Sequence, residues 1–313
     1  MGRARYIRNR LILMVFVLFG VTILIFGMVH FLPGDPASIL LGERATVQNV
    51  ADLRVQLGLD RPLVEQYWLF VSGLVQGEMG TSLMFRQPVG ELVLSRVPIS
   101  VGLAAYATTL AALFTFLFGL LAAANKGRWI DQLIRVVFLV VLTTPNFWLG
   151  ILLILLLSLG LKWFPVAGFG ATLQEHIWYL FLPALTLALQ LSAVLIRNLR
   201  SQVILTARSD FVRTARAKGL PDRLVLVRHT LRNALLSTVT IFGVQFGFLM
   251  GGTLVIETVF AVPGIGQLLF TSITSRDYPV VQSITVISAV LVIVVNLIVD
   301  LSYSFLDPRV TYD

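Results

Sequence analysis

The chain has 313 residues, of which 57% are hydrophobic and only 13% are charged, and its net charge is +8. Because roughly a quarter of the residues in a soluble globular domain are charged, this composition excludes an ordinary soluble protein and predicts an integral membrane protein. The absence of cysteine excludes disulfides and thiolate metal sites. The three histidines, His30, His176 and His229, lie far apart in sequence and provide no pair with metal-ligand spacing.

The first predicted membrane span covers residues 11–32 and follows four arginines within the first ten residues. The hydrophobic part of a cleavable signal peptide is only about 7–15 residues long. The apolar run here is longer and ends at Pro33 and Gly34. We therefore interpret residues 1–32 as a cytoplasmic N-terminus followed by a retained transmembrane helix.

Residues 33–98 form a mixed polar stretch that contains two helical patterns. One pattern covers residues 47–57, and the other begins at Pro62, because proline is favoured at the first position of a helix. The stretch keeps aromatic and branched residues such as Tyr67, Trp68 and Val71, in which disordered linkers are poor. It is predicted to be a small extracytoplasmic helical insertion.

Five further apolar blocks have about the length that crosses a bilayer, and they cover residues 101–124, 134–161, 178–196, 235–259 and 280–305. The predicted fold is therefore all-α with six transmembrane helices. Pro145 interrupts the third span and predicts a kink, because proline lacks a backbone donor. With the N-terminus in the cytoplasm, 17 of the 24 Lys and Arg residues lie in inside segments. The positive-inside rule then places both termini in the cytoplasm.

The sequence contains no recognisable catalytic machinery. Its only lysines, Lys126, Lys162 and Lys218, precede Gly, Trp and Gly, so the phosphate-binding pattern G-x-x-x-x-G-K-[ST] is absent. Neither H-E-x-x-H nor G-x-S-x-G occurs. The chain is therefore predicted to be no enzyme and to bind no cofactor itself, and any energy input comes from a partner or an ion gradient.

The segment between the fourth and fifth spans holds most of the excess positive charge, with nine basic and two acidic residues between positions 197 and 232. Gly219 predicts the end of a short helix, and Pro221 can open a second one with Asp222 in its first turn. In that second helix, spacing places Leu224, Val227 and Leu231 on one apolar face. The residues alone leave two interpretations open: a basic loop on anionic lipid headgroups, or a knob that a partner protein grips.

The residues of this segment also match a known pattern. R-T-A-R-A-K-G at 213–219, followed after nine intervening residues by H-T-L at 229–231, resembles the E-A-A-x-x-x-G-x9-I-x-L-P loop of ABC importer permeases. Ala215, Gly219 and Leu231 match that loop, whereas the residues that depart from it are Arg213, Thr214, His229 and Arg232. R-T-A-R-A-K-G followed by R-H-x-L-R-N-A is similar to the version in the dipeptide/oligopeptide/nickel branch, which also includes glutathione systems.

The resemblance to this branch extends over nearly the whole chain and consists of short motifs in a fixed order. Each motif alone is weak, but their joint presence in this order identifies the chain as a member of the branch. The motifs are L-P-G-D-P at 32–36, L-G-L-D-R-P at 57–62 with Gln66 and Tyr67, G-E-M-G at 77–80 with Ser82, E-T-V-F-A-V-P-G-I-G at 257–266, R-D-Y-P at 276–279 and D-P-R at 307–309.

The resemblance implies a function and a set of partners. In such permeases the glycine-turn loop is a coupling helix that docks into a groove on a separate ATPase subunit. That role is implied here for Thr214, Ala215, Arg216, Ala217, Lys218, Gly219, Leu220, Pro221 and Asp222. The implied complex contains a second homologous permease, two ABC ATPase subunits that bind ATP and Mg, and an extracytoplasmic solute-binding protein that contacts 33–98. It imports peptides or a similarly carried solute across a bacterial or archaeal inner membrane and involves no nucleic acid.

The implied organisation has three parts: residues 1–32, the insertion at 33–98, and a permease core at 99–313 with a coupling loop at about 198–234. Uncharged polar residues inside the spans can line a substrate path or bond between helices, and they are Thr143, Thr144, Asn146, Gln190, Gln245 and Asn296. Gly243, Gly247 and Gly251 allow close helix packing, either within this chain or against the partner permease.

Two acidic residues lie near span ends. Asp300 is predicted to form a structural ion pair rather than a proton relay, and Glu257 is predicted to brace the loop that follows it. The alternative from another class is a secondary transporter driven by an ion gradient, which requires intramembrane carboxylates or broken helices repeated in both halves. No internal repeat of that kind is evident in the sequence. A scaffold without transport activity would not need polar residues in several spans.

Overall fold

The computed structural model describes residues 3–31, 46–56 and 58–306. These residues are predominantly helical and contain no β-strand, only an isolated bridge between Thr81 and Pro88. The helices are α1 (Arg3–Phe31), α2 (Val47–Gln56), α3 (Leu63–Gln76), α4 (Val89–Ala124), α5 (Trp129–Thr143), α6 (Asn146–Leu153), α7 (Leu173–Thr206), α8 (Asp210–Ala217), α9 (Asp222–Leu224), α10 (Arg232–Val259), α11 (Ile265–Thr274) and α12 (Tyr278–Leu306). Two π-helical segments, π1 (Ile154–Gly160) and π2 (Val225–Leu231), continue α6 and α9.

The number of long apolar helices agrees with an integral membrane protein. Among the described residues, α1, α4, α7 and α12 are long and apolar enough to cross a bilayer. Two bent pairs bring the number to six if each pair is one span. The first is α5 with α6 and π1, bent by 112°, and the second is Asp222–Gly247 with Gly251–Val259, bent by 59° within α10. The all-helical membrane fold predicted from the sequence is confirmed.

Several helices are longer than the predicted spans, because the apolar run measures only the part suited to lipid. Helix α4 begins at Val89, well before the apolar block at 101–124. Helix α7 begins at Leu173, where Thr172 and Glu175 form a capping box: the Glu175 amide donates to Thr172 Oγ1, and Glu175 Oε2 accepts from the Thr172 amide. The capping residues, not hydropathy, set this helix start.

The chain divides into two compact units. The first comprises Met1–Pro98, Leu268–Val294 and Tyr312–Asp313, and the second Ile99–Gln267 and Val295–Thr311. In the first unit, α3 lies alongside α1: the hydroxyls of Tyr67 and Thr22 are 2.9 Å apart, and the Tyr67 ring packs edge-on against Phe19 and Phe26. Thr22 is nine residues, about 14 Å of helix, before the end of α1. Part of the insertion therefore packs beside the first span instead of beyond its end.

A buried carboxylate fixes the end of the insertion within the first unit. Asp277 is fully buried, and its Oδ2 accepts hydrogen bonds from Ser82 Oγ at 2.6 Å and from the Met84 amide at 3.2 Å. These bonds join the turn at 81–88 to the loop that precedes α12. Two motifs separated by almost 200 residues in sequence are thus one structural feature.

Helix α7 forms the centre of the second unit, and 67% of its most apolar stretch is buried inside the protein. Small residues let neighbouring helices approach it closely. Ala104 and Ala107 of α4 and Ala184 and Ala188 of α7 belong to one buried cluster. Since α7 leads directly into the basic segment at 207–231, that segment follows the most buried helix of the unit.

Candidate functional site

The basic segment folds as a helix, a glycine turn and a second helical stretch, as the sequence predicts. Helix α8 ends with two hydrogen bonds that define a Schellman motif: the Gly219 amide donates to the Arg216 carbonyl at 2.9 Å, and the Leu220 amide donates to the Ala215 carbonyl at 3.4 Å. Gly219 has φ +77°, in the left-handed region, and an added Cβ would meet no atom within 4 Å. The predicted helix end at Gly219 is confirmed, and it is the backbone angle, not crowding within the chain, that favours glycine.

A small apolar core holds the two halves of this turn together. Val212, Ala215 and Val225 are buried against one another, with Leu220 packed beside them. The Ala215 side chain faces this internal core and is only 5% exposed, so the predicted contact of this residue with an ATPase stays a prediction. Helix α8 packs against this core with one face, and Ala215 lies on that face one turn after Val212.

Of the three residues on the predicted apolar face of the second helical stretch, only Leu231 packs inward, against a buried cluster that includes Leu199. Leu224 and Val227 are 39% and 56% exposed, whereas Val225 and Thr230 are buried. The reason is that residues 225–231 form the π-helix π2, whose i→i+5 hydrogen bonds place residues five apart on one face. A spacing rule for the α-helix assigns the wrong residues to the interior of such a segment.

The outer surface of the turn is polar and accessible. Two ion pairs lie on it, Arg213 with Asp210 at 3.7 Å and Arg216 with Asp222 at 3.3 Å, and all four side chains are more than half exposed. Exposed pairs of this kind contribute little to stability, so these side chains are free to exchange partners. The exposed residues among those predicted to meet an ATPase are Thr214, Arg216, Ala217, Lys218, Gly219, Pro221 and Asp222, with Leu220 partly buried.

The break between α5 and α6 brings three of the predicted path residues together. Thr143 and Asn146 flank the break, and Gln190 of α7 donates its side-chain amide to the Thr144 carbonyl. That carbonyl is left without a helical partner at the proline break, so Gln190 satisfies it. The Asn146 Oδ1 atom is buried and has no hydrogen-bond partner in the part of the chain that the structure describes. The break therefore presents one unused polar atom beside α7.

The other two path candidates lie apart from this break in sequence. Asn296 of α12 packs near Gly247, whose added Cβ would lie 3.9 Å from Asn296 Oδ1, and Gln245 is partly buried. Of the three glycines, Gly243 is buried and Gly247 faces Asn296, whereas an added Cβ at Gly251 would meet nothing within 4 Å. Packing within the chain thus accounts for two of the three, and Gly251 lies on an open face of α10.

The buried Glu257 carboxylate organises the loop between α10 and α11. Its Oε2 accepts a hydrogen bond from the Gly266 amide at 2.6 Å, while Ser100 Oγ accepts one from the Ile265 amide at 2.8 Å. The prediction that Glu257 braces this loop is confirmed. The sequence does not reveal Ser100, which lies 165 residues from its partner.

Replacing Gly266 with alanine is expected to destabilise the fold. The added Cβ would overlap the Leu254 backbone, with the Leu254 carbonyl oxygen only 2.7 Å away. Because backbone atoms cannot move aside like a side chain, the loop must shift, and overpacking typically costs about 1–3 kcal/mol. Thermal unfolding of the purified protein measures the effect. The matched control is Gly251→Ala on the open face of α10; equal unfolding midpoints for the two variants would contradict the close approach at Gly266.

Sequence reasoning missed a buried ion pair of the second unit. Asp131, in the first turn of α5, is fully buried and accepts two hydrogen bonds of 2.6 Å from Arg200 of α7 and one of 2.8 Å from the Gly127 amide. The pair joins the start of α5 to the end of α7, six residues before that helix stops. The only sequence signal was two charges at the ends of predicted spans.

Some predicted features lie outside the described residues. These are the motifs at 32–36 and 307–309, residue 57 of a third motif, and the side chain of Asp300. The predicted ion pair of Asp300 therefore stays a prediction.

Comparison with known proteins identifies the family. Residues 115–312 match the family described as binding-protein-dependent transport system inner membrane component, and residues 3–104 match the N-terminal region of such membrane components. The chain belongs to this family of ABC importer permeases. The glycine-turn segment and the break at Pro145 both lie within the first of these matches.

Curated relatives narrow the family further. The chain is 39% identical over 307 residues to the glutathione transport system permease protein GsiC of Escherichia coli, covering 98% of this chain and 99% of that protein. The GsiC protein of Salmonella paratyphi A matches with the same identity and coverage. A crystal structure of an amino acid ABC transporter with histidines matches over 70% of this chain and 94% of its own at 19% identity and a TM-score of 0.49. The identity to GsiC places the permease in the dipeptide/oligopeptide/nickel branch, whose relatives are transporter components and not enzymes.

Proposed function

We propose that this permease forms the translocation path of a peptide importer and that its segment 214–222 docks onto a separate ATPase subunit. The observation that carries the proposal is the glycine turn: a Schellman motif on a buried apolar core, with polar, accessible side chains outward. A loop resting on lipid headgroups needs no such core, whereas a segment that transmits force must keep its shape when a partner pushes on it.

The turn is connected to the membrane helices on both sides, so that it can transmit a movement to them. On one side it follows α7, whose end is joined to α5 by the Asp131–Arg200 pair. On the other side π2 runs without a break into α10. A displacement of the turn by an ATPase would therefore move α7 and α10 together, and both helices line the same buried core of the second unit. The protein performs mechanical work while ATP and Mg are bound and ATP is hydrolysed on the partners.

The polar residues of the spans supply the path in this proposal. Thr143, Asn146 and Gln190 surround the break between α5 and α6, and the unpaired Asn146 Oδ1 can accept a hydrogen bond from a peptide amide or ammonium group. Gln245 and Asn296 add uncharged polar groups farther along the chain. Uncharged groups suit a path because they bind a polar solute without holding it tightly.

Family membership supports the remaining proposals, which concern the partners, the location and the substrate. A second permease, two ATPases and an extracytoplasmic binding protein complete the importer, which resides in the bacterial inner membrane with both termini of this chain in the cytoplasm. The insertion at 33–98 is the proposed contact for the binding protein. The GsiC relatives are named for glutathione, a tripeptide, and we place glutathione and short peptides in the substrate class.

Reconstitution in lipid vesicles tests the proposal. The permease alone is expected to show no ATP hydrolysis above background and no uptake, because it lacks a phosphate-binding loop. The full complex is expected to hydrolyse ATP and to respond to loaded binding protein. Complexes with an inactivated ATPase serve as the control. Uptake by the isolated permease under an ion gradient would establish a secondary transporter instead.

A further inference from the structure

A cleft of about 500 Å³ lies between α5 and α7 in the second unit, outside the turn and the proline break. Its floor is formed by apolar side chains of both helices, among them the buried residues Ile134, Phe138, Ala193 and Ile196. Its rim carries Arg135, Arg197 and Arg200, and no carboxylate from the described residues lines it. The cleft therefore combines an apolar floor with a positively charged mouth.

The charge at the mouth is only partly neutralised within the described part of the protein. Arg200 donates two hydrogen bonds to Asp131 and is thereby paired. Arg135 and Arg197 are exposed and make no hydrogen bond or ion pair with the described residues, although Arg135 lies near enough to the Asp131 carboxylate to interact with it electrostatically. Two guanidinium groups beside one apolar cleft attract an anion that can accept several hydrogen bonds, such as a phosphate oxygen cluster.

The position of the cleft selects the kind of anion. It opens between two candidate membrane helices at the end of α7 that leads to the glycine turn. The outer face of α5 beside it is apolar and exposed, with Val136 at 58% and Leu139 at 57%. A soluble anion would use only the rim, whereas an acyl chain covers the floor and the exposed face. Basic pockets between membrane helices bind acidic lipid headgroups in this way.

We propose that this cleft binds an anionic phospholipid, with its phosphate on Arg135 and Arg197 and an acyl chain on the apolar floor. The bound lipid would rest against both helices that the Asp131–Arg200 pair joins. The permease would then bind an acidic lipid of the leaflet next to the glycine turn, a binding site separate from the proposed path and from the proposed ATPase contact.

Titration of the purified complex with phosphatidylglycerol, followed by native mass spectrometry, tests the site. The double variant Arg135→Gln with Arg197→Gln is expected to lose roughly thirtyfold in affinity for one lipid molecule, since each basic residue at an anionic surface contributes about a factor of five. The conservative double variant to lysine keeps both charges and is expected to retain most of the binding. It also shows that the positions tolerate substitution.

The matched control is Lys126→Gln with Arg128→Gln, which removes two positive charges just before α5 but outside the cleft. This control is expected to bind phosphatidylglycerol like the unmodified complex. An equal loss in the control would reduce the effect to net charge and overturn the proposal. Equal affinity for phosphatidylcholine would overturn the proposal as well, because the charge of the headgroup would then not matter. Displacement of the lipid by inorganic phosphate alone would also overturn it, because the acyl chain would then not contribute to binding.

Discussion

Replacing Gly219 with valine is expected to abolish ATP-driven uptake while the permease still folds and inserts into the membrane. Gly219 has φ +77°, and a residue with a Cβ in this region is strained by about 1–2 kcal/mol, which lowers the population of the native turn about 5- to 30-fold. When the native turn is lost, the two Schellman hydrogen bonds to the Arg216 and Ala215 carbonyls are lost as well. Uptake of labelled substrate by vesicles containing the complex, together with co-purification of the ATPase, measures the effect.

Glycine can be required at this position for its backbone conformation or for the close approach of the ATPase surface, and a second substitution distinguishes between these two requirements. Asparagine tolerates the left-handed region better than other residues with a side chain, and the space around Gly219 is open within the chain. If backbone conformation alone matters, Gly219→Asn transports. If the ATPase surface must approach the bare backbone, Gly219→Asn fails like valine, although the turn itself is intact. Normal uptake by Gly219→Val would refute the lever and leave a lipid-facing loop.

Replacing Asp131 with alanine is expected to give the largest loss of stability among single substitutions in the second unit. The carboxylate is fully buried, and the Arg200 side chain is 18% exposed. Removal of the carboxylate therefore leaves the largely buried Arg200 guanidinium without a counter-charge. Breaking a buried pair in this way typically costs about 3–5 kcal/mol, and the Gly127 amide also loses its acceptor. Thermal unfolding of the purified permease is expected to show a midpoint several degrees lower.

A double variant identifies the cause of this loss. Replacing Asp131 with leucine and Arg200 with methionine removes both charges and fills similar volume, and such replacements of buried pairs are often neutral. The double variant is therefore expected to be more stable than Asp131→Ala. Asp222→Asn, which removes an exposed pair, is the control and is expected to leave the midpoint unchanged. A double variant as unstable as the single one would show that the carboxylate matters for another reason.

The glycine turn shows what local chemistry can predict. Its helix end, its positive φ and its second helix opened by Pro221 follow from residues within one or two turns of each other. The break at Pro145 is predictable for the same reason, since the missing donor belongs to one residue. The apolar blocks also predict the membrane helices, because the length that crosses a bilayer is a property of composition along the chain.

Pairings across the fold required the tertiary structure. Asp131 with Arg200, Ser82 with Asp277 and Ser100 with the loop after Glu257 join residues 69 to 195 positions apart. A charge or hydroxyl in the sequence carries no signal of its distant partner. The inward position of Ala215 and the shifted register of π2 were equally hidden, because an apolar residue that faces lipid and one that faces protein look alike.

The sequence by itself determined that this is an all-helical membrane protein with a turn of defined shape in its basic segment. Those properties depend on hydropathy, proline and glycine, which act locally. Only the tertiary structure decided which side of that turn is buried, which charges are neutralised and where Arg135 and Arg197 lie beside an apolar cleft without an ion pair to any described residue. Those properties depend on which helices pack together, and packing is fixed by contacts between residues far apart in sequence.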